Sequence, residues 1–266
     1  MLAAFTWSVS PEIFDIWIFS VRWYGILFAL PFLIGYYLVA PMFNGEGRKR
    51  EDLDTLVLYM ILSTVIGARL GHCLFYEPAR YLSDPLSILK IWEGGLASHG
   101  AAIGIVIGMW LFARKRAAYS FWWLADRIVM VVALAGVTIR LGNFFNSEIY
   151  GTVTDLPWGV IFTLANEELP RHPTQLYESL AYGLIFIFLW LRHKRFEGRP
   201  PASSQFAIFL TLTFLARFAI EFVKLEQGGL DDAALPLRMG QLLSIPFILL
   251  GLYLWRRSSA GELKAS

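Results

Sequence analysis

Long apolar runs separated by short polar connections organise this 266-residue chain. Seven runs have about the 17–25 residues that a helix needs to cross a bilayer core. They lie near 16–41, 55–76, 96–113, 121–142, 173–192, 204–224 and 239–256. None of the segments between them alternates as a barrel strand would, so the runs read as helices. The pattern predicts an all-α fold, a polytopic membrane helical bundle of seven transmembrane helices. The longest outer connection, 144–171, carries Asp155, Pro157, Trp158 and Gly159 and predicts a small extracytoplasmic cap. With no internal repeat and no dividing linker, residues 1–266 read as a single integral-membrane domain. No basic residue precedes Arg22 and no small-residue cleavage site closes the first run, so that run is expected to remain as a helix.

Lysine and arginine settle the expected orientation. Arg48, Lys49, Arg50, Arg114, Lys115, Arg116, Arg192, Lys194, Arg195, Arg199, Arg256, Arg257 and Lys264 fall in one set of connections and the C-terminal tail. The alternate connections hold only Arg80, Lys90, Arg171 and Arg238. The rich side is the cytoplasm by the positive-inside rule, which puts the N-terminus outside and the C-terminus inside. Seven spans are the odd number this requires. At 56% hydrophobic and a mean hydropathy of +0.53, the chain is too apolar for an ordinary soluble domain. Its net charge of +2 follows from the loop bias and gives no reason to expect nucleic acid; the basic loops suit anionic membrane lipid. The single cysteine, Cys73, excludes an internal disulfide and a cysteine metal cluster.

Polar residues inside the spans are costly and normally mark a site. Placed by helical rise, Arg22, Tyr24, Arg69, His72, His99, Arg140, Asn143, Gln175, Glu178, Arg217 and Glu221 all fall in the outer half. Asp126 lies roughly 21 Å from Arg140 along its helix and reads as structural. The outer set describes a hydrated, net basic chamber, and guanidinium forks favour a phosphate, with a lipid phosphate the nearest candidate. The run Arg140-Leu-Gly-Asn-Phe-Phe-Asn-Ser-Glu148 is the sharpest signal: Asn143 shares a helix face with Arg140, and Asn146 and Glu148 follow where the helix ends. A snorkelling arginine at the interface is the plainer alternative. Arg217 and Glu221, four apart, could simply pair. Gln175 and Glu178 fit either interhelical hydrogen bonds or substrate contact. His99, among glycines and alanines, is a candidate proton acceptor.

Taken together these segments resemble the bacterial prolipoprotein diacylglyceryl transferase family. Val21-Arg-Trp-Tyr-Gly25, Gly67-Ala-Arg-Leu-Gly-His72 and Gly94-Gly-Leu-Ala-Ser-His-Gly100 are similar to its early motifs, and Arg140 through Gly151 resembles its signature. His172-Pro-Thr-Gln-Leu-Tyr-Glu178, Arg217-Phe-Ala-Ile-Glu-Phe222 and Met239-Gly-Gln-Leu-Leu-Ser244 follow in order. Ile139 departs where the signature usually starts with glycine, and Thr213 where many members carry tyrosine. The resemblance implies transfer of the diacylglyceryl group of phosphatidylglycerol to the lipobox cysteine thiol in a prolipoprotein signal region, in the bacterial inner membrane, with a thioether and glycerol 1-phosphate as products. That chemistry fits Arg140, helped by Asn143 and Asn146, on the phosphate with Arg217 as second cation, and the resemblance implies Tyr24 as a positioning group. His99 is the candidate base, with Glu148 or Glu178 available to assist it. Glu148, Gly151, Gln175, Glu178 and Glu221 complete the substrate-binding set. No cofactor and no metal are expected.

Two other functions are weighed against this one. A lipid transporter or flippase also needs a polar chamber, but no repeat is present and the polar residues keep to one half of the membrane. An intramembrane serine protease is suggested by Ser98 beside His99, yet neighbours on a helix point about 100° apart and cannot form a dyad unless a serine from another helix supplies the nucleophile.

Overall fold

The computed structural model describes residues 5–17, 19–225 and 237–261, so Lys264 of the expected cytoplasmic tail lies outside the described residues. In chain order the elements are β1 (Phe5–Trp7), β2 (Glu12–Ile16), β3 (Phe19–Arg22), α1 (Trp23–Gly45), α2 (Arg50–Phe75), α3 (Pro78–Ser83), α4 (Ser98–Lys115), α5 (Phe121–Phe145), β4 (Val160–Phe162), α6 (Thr174–Arg195), α7 (Ser204–Ile220) and α8 (Met239–Ser259), with short 3-10 turns between some of them. The chain is thus mostly helical rather than all-α, because two small two-stranded sheets join the helices. Among the described residues six helical segments are long and apolar enough to cross a membrane: α1, α2, α5, α6, α7 with its following turn to Val223, and α8. The seventh expected span is α4, whose 18 residues include His99 at the start and Arg114 and Lys115 in the last turn.

The first expected span begins later than its hydrophobicity suggests. β2 pairs antiparallel with β3, and helix starts only at Trp23. Polar residues inside the apolar run explain the difference. Arg22 Nη2 pairs with Glu12 Oε1 at 2.8 Å and Ser20 Oγ donates to Asp15 Oδ1 at 2.6 Å, both across the strand pair, with Phe14 opposite Val21. Such cross-strand pairs fix a register that a helix would break.

The described residues divide into two compact units, one of those in 5–35 and 126–261 and one of 36–125. In the second, α2 and α4 run together along a glycine seam. A Cβ on Gly100 would press into the Gly67 carbonyl and lie 2.8 Å from the Gly71 Cα, so only glycine permits this approach. Arg69, at 3% exposure, donates to the carbonyls of Ser87 (2.7 Å), Ile88 (2.8 Å) and Gly94 (2.5 Å). Its charge is therefore spent on folding the 84–95 connection, which corrects its place among the chamber cations.

In the first unit α7 packs along both α6 and α8. Asp126 Oδ1 accepts the Phe206 amide at 2.9 Å and so caps the N-terminus of α7, whose first-turn donors have no intrahelical partner. The 144–171 segment is folded. Its strand β4 pairs parallel with β1, and Phe144, Val160 and Phe162 pack with Trp7, Tyr150 and Leu176. Glu167 ties it further, accepting from Tyr150 Oη at 2.7 Å and Arg171 Nε at 2.8 Å. Burial opposes ionisation of Glu167, but these two donors and the Arg171 charge outweigh it and hold its pKa below the usual carboxylate value.

Candidate functional site

The site forms where α5 ends. Its last two turns carry Arg140 and Asn143, and the chain then turns through two left-handed residues, Ser147 (φ 53°) and Ile149 (φ 62°), with Glu148 between them. A β-branched residue at positive φ is strained by roughly 1–3 kcal/mol and persists only when its surroundings hold it. Here they do: Gln175 Nε2 donates to the Glu148 carbonyl at 2.7 Å, and Thr174 Oγ1 to the Ile149 carbonyl at 2.9 Å. Both donors come from the first turn of α6 and are completely buried.

The strained turn aims its polar groups at one another. Arg140 Nη1 donates to Asn143 Oδ1 at 3.0 Å, and Asn143 Nδ2 donates to Glu148 Oε1 at 2.7 Å. Asn146 Nδ2 reaches the same Glu148 oxygen at 3.2 Å. Arg140 Nε lies 2.7 Å from Glu178 Oε2, an ion contact that lacks hydrogen-bond alignment. Tyr24 lies over Gly142, where a Cβ would come within 2.8 Å of its ring, and it interacts with both Glu148 and Arg140.

Glu178, at 1% exposure, is the hub. Its other oxygen, Oε1, accepts from Lys224 Nζ at 3.2 Å, and its charge is also felt by Arg217. Arg217 lies against Tyr182 on α6 and interacts with Glu221 without an ion pair at contact distance among the described residues. The simple Arg217–Glu221 pairing is therefore not what the structure contains. The Glu221 carboxylate instead lies against the backbone at Gly240. Gly151 follows the same logic of close approach: a Cβ there would meet the Val223 carbonyl, His172 and Thr174.

Tyr24, Arg140, Asn143, Asn146, Glu148, Gln175 and Glu178 are thus brought together, with Arg217 and Lys224 joined to them through Glu178. Arg22 is not among them, since it is exposed and paired with Glu12. His99 belongs to the other unit, where it is exposed on the first turn of α4 with its ring 6.3 Å from that of Tyr76. His72 stacks on Tyr76 and lies 3.3 Å from Glu77. His172, beside the Tyr177 hydroxyl at 3.1 Å, has its pKa lowered by burial. Lys224 is the residue that sequence reasoning missed. It is buried just past α7 because its backbone pairs with Gly151, with Thr152 N donating to the Val223 carbonyl at 2.9 Å. The one available signal was its place seven residues after Arg217, two helical turns on.

Chemically the cluster can hold an anion. Arg140, Arg217 and Lys224 surround a single fully buried carboxylate, so positive charge is in excess where water is scarce. A planar guanidinium supported by asparagine amides suits a phosphate group.

Comparison with known proteins agrees with this chemistry. The family model described as prolipoprotein diacylglyceryl transferase matches residues 11–257. The chain is 47% identical over 248 residues to the phosphatidylglycerol–prolipoprotein diacylglyceryl transferase of Tolumonas auensis, covering 93% of this chain and 95% of that one. It is 46% identical over 248 residues to the same-named protein of Chloroherpeton thalassium (93% and 92% covered) and 41% identical over 265 residues to that of Porphyromonas gingivalis (95% and 94%). With the match running from the β2–β3 hairpin into the last turn of α8, the chain belongs to the prolipoprotein diacylglyceryl transferase family.

Proposed function

We propose that this protein transfers the diacylglyceryl group of phosphatidylglycerol to the lipobox cysteine thiol of prolipoproteins. The thiol loses its proton, the sulfur attacks the glycerol carbon, and the carbon–oxygen bond to the phosphate breaks. Its electron pair leaves on the phosphate oxygen, giving a thioether and glycerol 1-phosphate. The observation that carries this reading is the signature turn itself: Arg140, Asn143 and Glu148 linked to the buried Glu178 in a cation-rich cluster. Arg140, with Asn143 and Asn146, takes the phosphate, and Arg217 serves as second cation. Tyr24 positions the substrate, and Glu148 and Glu221 line the site. Gln175 and Gly151 shape it, through the Glu148 carbonyl and the close approach to Val223. His99 is the proposed base. The transporter alternative finds no support among relatives that are named transferases.

The reading places the protein in the bacterial inner membrane as one integral-membrane domain of seven spans. α4 is the seventh, since 18 residues rise about 27 Å and Arg114 and Lys115 can snorkel to the interface. The charge bias between connections supports a periplasmic N-terminus, a cytoplasmic C-terminus and an extracytoplasmic position for 144–171. The test is direct: purified protein in detergent, phosphatidylglycerol and a lipobox peptide are incubated and the peptide is weighed by mass spectrometry. A diacylglyceryl adduct on the cysteine peptide and none on its serine counterpart is expected. No adduct from folded protein overturns the proposal.

A further inference from the structure

Lys224 is a buried ammonium with a single described partner, Glu178 Oε1 at 3.2 Å, although an ammonium carries three donors. The charges acting on it are Glu178, which attracts, and Arg140 and Arg217, which repel. Such a position is unfavourable unless a further anion completes it. The backbone nonetheless holds Lys224 there firmly. Its segment pairs with Gly151, and Arg238 Nη1 donates to the Lys224 carbonyl at 2.6 Å and the Glu221 carbonyl at 2.7 Å.

The charge count says which anion fits. Arg140 and Arg217 against Glu178 leave one positive charge, matched to a phosphodiester such as phosphatidylglycerol. Lys224 adds a second, matched to a phosphomonoester, which carries close to two negative charges at neutral pH. Glu148 is exposed and Glu221 partly so, and solvent screens both more than the buried groups. The reaction proposed above converts a diester to a monoester, so the second negative charge develops as the carbon–oxygen bond breaks.

We infer that Lys224 is a catalytic residue of the transfer, contacting the departing glycerol phosphate and stabilising the charge that appears on it rather than the charge already on the lipid. This rests on the proposed transferase reaction. An interaction made chiefly in the transition state raises kcat and leaves KM almost untouched. Sulfur–carbon bond formation and carbon–oxygen cleavage are unchanged in this picture; Lys224 gives up no proton and meets the oxygen that receives the electron pair.

The experiment compares wild type, Lys224→Met and Lys224→Arg, full length in detergent, in the transfer assay. Calorimetry in parallel measures binding of glycerol 1-phosphate and of the diester glycerophosphoglycerol to the same proteins. Lys224→Met is expected to lower kcat by roughly 10²-fold with little change in KM for phosphatidylglycerol. It should also weaken glycerol 1-phosphate at least tenfold while leaving the diester nearly unaffected, with Lys224→Arg restoring both. Equal loss of diester and monoester, a raised KM at unchanged kcat, or wild-type monoester binding by Lys224→Met overturns the inference. Thermal unfolding identifies a variant that merely misfolds, in which case Lys224→Arg against wild type in monoester-over-diester preference decides, and loss of that preference in a folded Lys224→Arg also overturns it. Calorimetry needs no turnover, so a wild-type protein that forms no adduct yet prefers the monoester through Lys224 would sink the transferase proposal and not the anion selectivity.

Discussion

Glu148 stands between two residues in left-handed backbone, and its carbonyl is taken by a glutamine with no solvent exposure. The position of its carboxylate, and through Asn143 that of Arg140, therefore depends on a hydrogen bond made behind the site. Replacing Gln175 with leucine would keep the volume and remove the donor to the Glu148 carbonyl, at a cost of about 0.5–1.5 kcal/mol. The expected outcome is a thermal midpoint lowered by a few degrees and transfer reduced at least tenfold. Unchanged unfolding and unchanged turnover would contradict the buttressing role. Arg140, Asn143 and Glu148 were legible in the sequence because polar groups at the end of an apolar run need a reason to be there. Arg69 is not legible in this way, since a sequence shows a charge but not the carbonyls that satisfy it. Lys224 escaped for the opposite reason: it closes an apolar segment, as interfacial lysines commonly do, and only the pairing of its backbone with Gly151 turns it inward.

Among the elements, the α2–α4 seam shows how little room the helices leave. Gly100→Val should force the two backbones apart and cost about 1–3 kcal/mol or more, as overpacking does. Gly183→Ala should be tolerated, because a Cβ there meets only Val137 Cγ2 at an ordinary 3.8 Å. Thermal unfolding of the two variants in the same detergent checks the pair, and equal midpoints would refute the close packing. Helix positions were largely legible from apolar run length: α5 starts at 121 as expected, and α6 and α8 start within one residue of the predicted 173 and 239. The β2–β3 hairpin was not legible, because hydrophobicity alone does not separate an apolar strand from an apolar helix over a few residues. The cross-strand pair Glu12–Arg22, ten residues apart, could have been suspected only with the turn at Trp17 already known.

For the whole molecule, the distribution of basic residues makes a topological statement that labelling can test. A cysteine placed at Asp155 should react with an impermeant maleimide in intact spheroplasts, and one placed at Ala117 only after permeabilisation; both positions are exposed. Reaction at Ala117 in sealed spheroplasts would reverse the orientation. Reading function from the chain depended on several motifs holding together over its length, and the fold joins three of them, those of Arg140, Glu178 and Arg217, through Glu178. The central claim is that Arg140 serves diacylglyceryl transfer from phosphatidylglycerol to a cysteine thiol. The most direct measurement is the adduct formed on a lipobox peptide by wild type and by folded Arg140→Ala protein. An adduct from wild type, reduced at least 10²-fold in the variant, is the expected result. Equal transfer by both would contradict the claim.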